Sequence, residues 1–231
     1  MIMISPVAQA KSGGGGSGGG GGSPGGTFKF TGAGKGDGLI WFGLGSGALK
    51  PTYPKTGYNP SGSLCAYGGI EGTFGKSPFG ILLGIFGSAT SGKVDYDYTS
   101  TGATPTHYTA TGVDFTSTLS GLDVGLLLRI INAGSMHFFI QAGGTLLSED
   151  IWYDTSNTNL AAQGSTFQTK QSAVMSSGYF GVAGIDFIIG DMGIRLAGRG
   201  SLMSSDKIDA LAGQRIKSAN MYGFAAIVKQ Y

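Results

Sequence analysis

Eight stretches of this chain alternate residue by residue with a period of two, at 39–49, 63–74, 79–89, 115–131, 136–147, 173–189, 194–203 and 218–229. Period two is the signature of a strand, in which successive side chains point to opposite faces. The connections alternate as well. After the second, fourth and sixth stretches come tight turns made of turn residues: Gly75-Lys76-Ser77-Pro78, Asn132-Ala133-Gly134-Ser135 and Gly190-Asp191-Met192-Gly193. After the first, third, fifth and seventh come long polar segments at 50–62, 90–114, 148–172 and 204–217. An even number of antiparallel strands therefore runs up and down, with short turns at one end and long loops at the other.

The two faces of each strand differ in charge. In the second stretch Leu64, Ala66, Gly68, Ile70, Gly72 and Phe74 share one face, and Glu71 falls on the other with Cys65, Tyr67, Gly69 and Thr73. In the fourth, Leu122, Val124, Leu126, Leu128 and Ile130 oppose Asp123 and Arg129. In the fifth, Met136, Phe138, Ile140, Ala142 and Leu146 oppose His137, Gln141 and Thr145. The sixth sets Tyr179, Ala183, Ile185, Phe187 and Ile189 against Asp186, and the seventh sets Ile194, Leu196 and Leu202 against Arg195 and Arg199. In a soluble sandwich these charges would be buried without water, at high cost. A soluble ligand-binding barrel of the lipocalin type would instead hold the apolar set 122–130 in water, a patch too large to be ordinary. Facing lipid outward and charge inward resolves both conflicts.

Composition agrees. Charged residues make up 12% of the 231, about half the roughly 25% typical of soluble domains, while glycine accounts for 45 positions. The longest apolar runs, 79–87 and 122–131, are too short to cross a bilayer as a helix, which needs about 20 residues. They suffice for tilted strands, which need about 9–11. A formal net charge of +2 gives no basic field that would make nucleic acid the expected partner. A single cysteine, Cys65, excludes an intrachain disulfide and multi-cysteine zinc sites.

Residues 1–10 (MIMISPVAQA) end in Ala8-Gln9-Ala10, a small-x-small pattern that reads as the remnant of a signal peptide, with an ordinary flexible terminus as the alternative. Residues 11–38 open with KSGGGGSGGGGGSPGG, a tract expected to act as a flexible periplasmic tether. No strand precedes these glycines and no Lys-Ser/Thr follows them, so they do not read as a phosphate loop. The barrel is expected over 39–231.

The alternation of turns and loops, with the even strand count, resembles the OmpA/OmpX-like family of small outer-membrane barrels. The resemblance implies an all-β, eight-stranded antiparallel up-and-down transmembrane β-barrel with periplasmic turns and extracellular loops. It also implies a Gram-negative outer membrane, contact with its lipid and lipopolysaccharide, and assembly by the barrel-assembly machinery. Family members end in an aromatic residue read by that machinery, and Tyr231 matches it, whereas Lys229 stands where the family has an aromatic or apolar residue.

An eight-stranded barrel has an interior just wide enough for side chains to fill. Glu71, Asp123, Arg129, Asp186, Arg195 and Arg199 are therefore expected to point inward and neutralise one another, with glycines such as Gly43, Gly45, Gly47, Gly69, Gly125 and Gly184 leaving room for them, and Glu71, Arg129, Asp186 and Arg195 are expected to form a luminal plug near the short-turn end. Phe74, Phe79, Phe138 and Phe187 are expected to form one interfacial girdle, and Tyr96, Tyr98, Trp152, Tyr153 and Phe167 the other. Function is expected in the loops, as structural or adhesive contact with an extracellular protein or surface ligand. Tyr96, Tyr98, Tyr108, Trp152 and Tyr153 are the contact candidates, on hairpins whose Thr/Tyr alternation extends past the membrane as a protruding sheet. Mobile solvated loops are the alternative there. Two other functions stay open: a narrow channel for small solutes, and a lipid A-modifying enzyme using His107. Neither histidine comes with a nucleophile and an orienting acid at recognisable spacing, so no catalytic residue is expected. No cofactor is expected. No metal site is expected either, since Asp95, Asp97, Glu149 and Asp150 do not form a calcium-ligand loop. Cys65 reads as a small packed luminal side chain.

Overall fold

The computed structural model describes residues 38–53, 58–75, 77–99, 103–133, 135–154, 170–208 and 214–231. Eight strands follow one another in the chain: β1 (Gly38–Tyr53), β2 (Tyr58–Thr73), β3 (Phe79–Thr99), β4 (His107–Ala133), β5 (Met136–Asp154), β6 (Lys170–Ile189), β7 (Met192–Ile208) and β8 (Gln214–Gln230). Each pairs antiparallel with the next, and β1 pairs with β8 from Leu39↔Gln230 to Tyr53↔Lys217, closing the ring. The Tyr231 N–H donates to the Gly38 carbonyl at 3.2 Å, extending that seam by one bond. Closure leaves no sheet edge within the ring, the condition for a sheet to stand in lipid.

The short turns follow from their residues. Gly75 (φ 57°) and Gly190 (φ 71°) take left-handed backbone conformations that other residues adopt at a cost. The Phe74 N–H bonds the Phe79 carbonyl at 2.9 Å across the first of these turns.

The strands run further toward the long-loop end than periodicity alone gave. β3 and β4 absorb most of the expected 90–114 loop, and β5 continues to Asp154. The cause is continued alternation: Val94 and Tyr96 on β3, with Val113 and Phe115 on β4, all point inward and are buried. The β3–β4 pair reaches Thr99↔His107, beyond Val94, where the described β2 pairing ends, and beyond Asp114, where the β5 pairing ends. The β3–β4 hairpin thus runs past its described neighbours, while residues 155–169 of the other expected hairpin lie outside the described residues. The expected signal remnant at 1–10, all of 11–38 except Gly38, and Phe167 lie outside the described residues.

Exposure alternates along most of each strand. Phe42, Leu64, Ile85, Val124, Leu126, Leu202, Met221 and Ile227 are each more than 60% exposed, while the neighbouring inward positions are buried. On β3 the outward apolar set runs from Phe79 to Ala89, roughly 25 Å along the axis at about 3.3 Å per residue and a tilt of about 40°. That is the height of the apolar belt of an outer-membrane barrel.

Candidate functional site

The lumen is packed in tiers. Nearest the short turns, the Arg195 guanidinium lies between two carboxylates. It donates from Nε (2.7 Å) and Nη2 (2.9 Å) to Asp186, and from Nη1 (2.9 Å) and Nη2 (2.8 Å) to Glu71. Asp186 and Arg195 are cross-strand partners of β6 and β7, so register alone brings them together. Glu71 reaches them from β2, also accepts a bond from Gln141 Nε2, and has Arg129 Nη2 at 3.6 Å. Two carboxylates thus face two guanidiniums. The Arg195 guanidinium also lies 4.1 Å from the Phe139 ring centre and 4.9 Å from that of Trp41, so its faces as well as its edges are occupied.

Four residues further along β7, Arg199 forms a second tier. It grips Asp123 of β4 with Nε and Nη2, both at 2.9 Å, and donates to Ser201 Oγ (3.2 Å) and Thr145 Oγ1 (3.3 Å). Phe86 lies 4.4 Å from its guanidinium. Arg195, Arg199 and Asp123 are all 0% exposed.

The six charged residues expected inside are therefore all inside, Glu71, Arg129, Asp186 and Arg195 in the tier by the short turns and Asp123 and Arg199 in the next. Sequence reasoning put Tyr67 on the inward face but missed the other aromatic rings between them. Trp41, Tyr67, Phe86 and Phe224 pack ring on ring, with Trp41 and Tyr67 at 4.6 Å. The room expected for long charged side chains is in part ring space: a Cβ on Gly184 would meet Phe139 Cζ at 2.8 Å and Ala197 Cβ at 2.6 Å. Parity along 39–43 and 222–228 carried the signal, since Trp41 lies in register with Val228 and between outward Ile40 and Phe42. Cys65 is a free thiol packed in this core.

A third layer fills the extension beyond the apolar band. Val94, Tyr96, Val113, Phe115, Ile151, Tyr153, Val174 and Ile216 make a separate apolar core. Tyr96 and Tyr153, expected as outward contact residues and as girdle members, are corrected by this packing. They are 2% and 6% exposed and meet edge to face at 5.7 Å inside the barrel. Tyr96 shares parity with luminal Phe86, and Tyr153 with luminal Gln141, so counting by twos from the membrane segment fixes their direction. Of the expected contact residues Trp152 faces out, at 38% exposure. Tyr98 and Tyr108 are register partners near the hairpin tip, with side chains outside the described ones.

Charge on the outer collar is uneven but mixed, with Asp206 lying 4.0 Å from Arg215 on the β7–β8 side. Asp95, Asp97, Asp114 and Asp154 lie on the β3–β5 side, where Lys93 pairs with Asp114 at 2.9 Å. Lys50, Lys207, Arg215 and Lys217 are exposed on the β7–β8–β1 side. His107 hydrogen-bonds Asp97 near the hairpin tip, about 25 Å beyond Ala89 along the barrel axis and away from any ester bond at the leaflet. Asp95 accepts from the Gly112 N–H (3.0 Å), Asp150 from the Ala173 N–H (2.8 Å), and Glu149 from the Ser117 hydroxyl. The four acids weighed for calcium thus serve separate local bonds, and among the described residues no three acidic, cysteine or histidine side chains converge on a metal position.

A closed ring of eight strands, apolar outside and charged within, defines a small transmembrane β-barrel, the architecture of the OmpA/OmpX-like proteins that the strand and turn pattern resembles. No protein-family model matches the chain, and no curated protein does. Among solved structures it is similar to Ail, the attachment invasion locus protein of Yersinia pestis, at 14% identity over 84% of this chain and 99% of that one, with a TM-score of 0.39. It is also similar to Neisserial surface protein A, at 8% identity over 84% and 96% of the two chains, with a TM-score of 0.48.

Proposed function

We propose that the protein stands in the outer membrane of a Gram-negative bacterium as a closed barrel, its lumen sealed by the two arginine tiers, and acts through surface contact made by its outward extension. One observation carries this reading. The strands continue well past the apolar band as an internally packed collar, although an eight-stranded barrel needs only the band to stand in lipid. A filled extension presents a fixed outer surface, which contact requires and a structural membrane filler does not. Residues 1–10 are then the remnant of an export signal, and 11–38 a periplasmic tether to strand β1. Tyr231, 45% exposed beside the seam, is the residue offered to the assembly machinery.

The test is a whole-cell binding assay against extracellular matrix proteins and host-cell surfaces, using cells that express the full chain or a variant with residues 99–107 replaced by Asn-Gly. The expected result is binding by the full chain and its loss in the variant, with both migrating as heat-modifiable barrels. Equal binding by both, or none by either, overturns the contact role.

A further inference from the structure

Four outward glycines on one side of the barrel are not required by its own packing. A Cβ on Gly223 would meet nothing within 4 Å, and on Gly181, Gly198 or Gly200 nothing nearer than 3.8 Å, whereas on luminal Gly43, Gly45 and Gly47 it would strike backbone at 2.0–2.3 Å. A glycine inside a strand weakens it, so the outward four cost stability that the barrel itself does not recover. Register sets Ala183, Gly198 and Gly223 side by side across β6, β7 and β8, with Gly181 beside Gly200 in the next row. The result is a trough in the apolar band. Tyr179, Leu202 and Met221 rim it toward the long loops, and Leu196 and Ile227 toward the short turns, each at least half exposed. Hollows of about 330 Å³ beside Gly200 and about 450 Å³ beside Ala183 deepen it.

The opposite side of the ring carries the counterpart. Outward Ile81 and Leu126, Leu83 and Val124, and Ile85 and Leu122 are register partners on β3 and β4, a ridge of three aliphatic pairs. The two features match in height. Followed from strand to strand, the register leads from Val124 to Lys229 one way round the ring and to Ala219 the other way. The position on β8 level with Val124 is therefore midway, at Gly223 to Ala225. By the same count Asp114, ten residues above Val124, stands level with Arg215. Above the ridge, Asp95, Asp97, Asp114 and Asp154 outnumber Lys93, and above the trough Lys50, Lys207, Arg215 and Lys217 outnumber Asp206. Ion pairs within either side leave those opposite balances unchanged.

In lipid, apolar side chains gain nothing by leaving acyl chains for protein, and association follows close packing, which small residues permit. Acyl chains conform to ridge and trough alike and do not call for opposite charge above them. We propose that a second copy of this chain seats its β3–β4 ridge in the β6–β8 trough, so that barrels associate side by side. The contact is heterologous, and because its two halves lie on opposite sides of one barrel it builds open rows. It adds a partner to the surface-contact role and rests on the barrel standing in lipid.

The experiment reconstitutes two differently tagged full chains in lipid vesicles on a Cys65→Ser background, one with Val124→Cys and the other with Gly223→Cys. A maleimide cross-linker of about 10 Å, the spacing of two sheets packed face to face, joins neighbouring thiols. The expected product links 124 to 223 and exceeds the 124–124 and 223–223 products as the vesicles are diluted with lipid. It is lost when Gly198→Leu or, independently, Gly200→Leu is added to the second chain, both keeping heat-modifiable migration, and it falls severalfold at about 1 M salt, where charges are screened beyond about 3 Å. Equal yields of the three products, a dominant 223–223 product, an unchanged yield in both glycine variants, or no cross-link at all overturns the proposal. Salt-independent yield overturns the part played by the collar charges. Loss of the gel shift in the unmodified chain would instead fail the membrane reading itself.

Discussion

At the scale of the residue, the lumen is held by guanidiniums whose carboxylate partners come from distant strands. Such a network costs little once complete and much when broken, because a buried charge left without a partner keeps its full desolvation penalty. Arg195→Met leaves Glu71 and Asp186 facing each other and is expected to destabilise the barrel by about 3–5 kcal/mol, read as a lower urea midpoint in reversible unfolding from lipid vesicles. The upper tier gives a sharper check. Asp123→Leu with Arg199→Met removes both charges at once and is expected to cost less than Arg199→Met alone; a double variant that costs more would contradict the pairing. Gly184→Leu would drive a side chain against Phe139 and Ala197, with an expected loss of about 1–3 kcal/mol in the same assay. Six of the seven buried carboxylates and guanidiniums among the described residues were legible in the sequence, because a charge on an otherwise apolar strand has only one place to go; Glu149, in a segment that read as a polar loop, was not. Apart from Tyr67, the rings were not, since an aromatic residue suits lipid and lumen equally and only parity decides. Tyr96 and Tyr153 show how this misleads: in polar surroundings they read as contact anchors, yet each lies on the inward set of its strand.

At the scale of the element, strand number, order and short turns were readable because turn residues and period two are local signals. Strand ends were not. The extension of β3 and β4 is stabilised by an apolar core assembled from β3, β4, β5, β6 and β8, a non-local arrangement that a window along one segment does not contain. This core sets the behaviour of the tip. Replacing residues 99–107 with Asn-Gly removes the paired end while keeping Val94, Tyr96, Val113 and Phe115, so thermal stability is expected to change by less than 1 kcal/mol. Tyr96→Ala empties part of the packed layer and is expected to cost about 3–5 kcal/mol on the scale of buried aromatic truncations. Differential heat-modifiability of the two variants reads both. Equal stability of Tyr96→Ala and the parent would mean that the collar is not packed.

At the scale of the whole molecule, two surfaces do opposite work: an apolar outside matched to lipid and a charged inside matched to itself. A lumen filled at both arginine tiers and again at the collar predicts a flat trace in planar bilayers, and stepwise conductance from the purified chain would contradict the seal. A charge on the outer face has no such compensation. Leu126→Arg, near the middle of the apolar band, is expected to lose about 2–4 kcal/mol. The most direct test of the central claim is a spin-label accessibility scan of β4 in bilayers on a Cys65→Ser background, with labels at the outward positions 114, 116, 118, 120, 122, 124, 126, 128 and 130. The account expects labels from 122 to 130 to be open to lipid-dissolved oxygen and closed to a water-soluble nickel complex, with the preference reversing toward 114. High nickel accessibility throughout 122–130 would show that this face meets water, and the membrane barrel would be wrong.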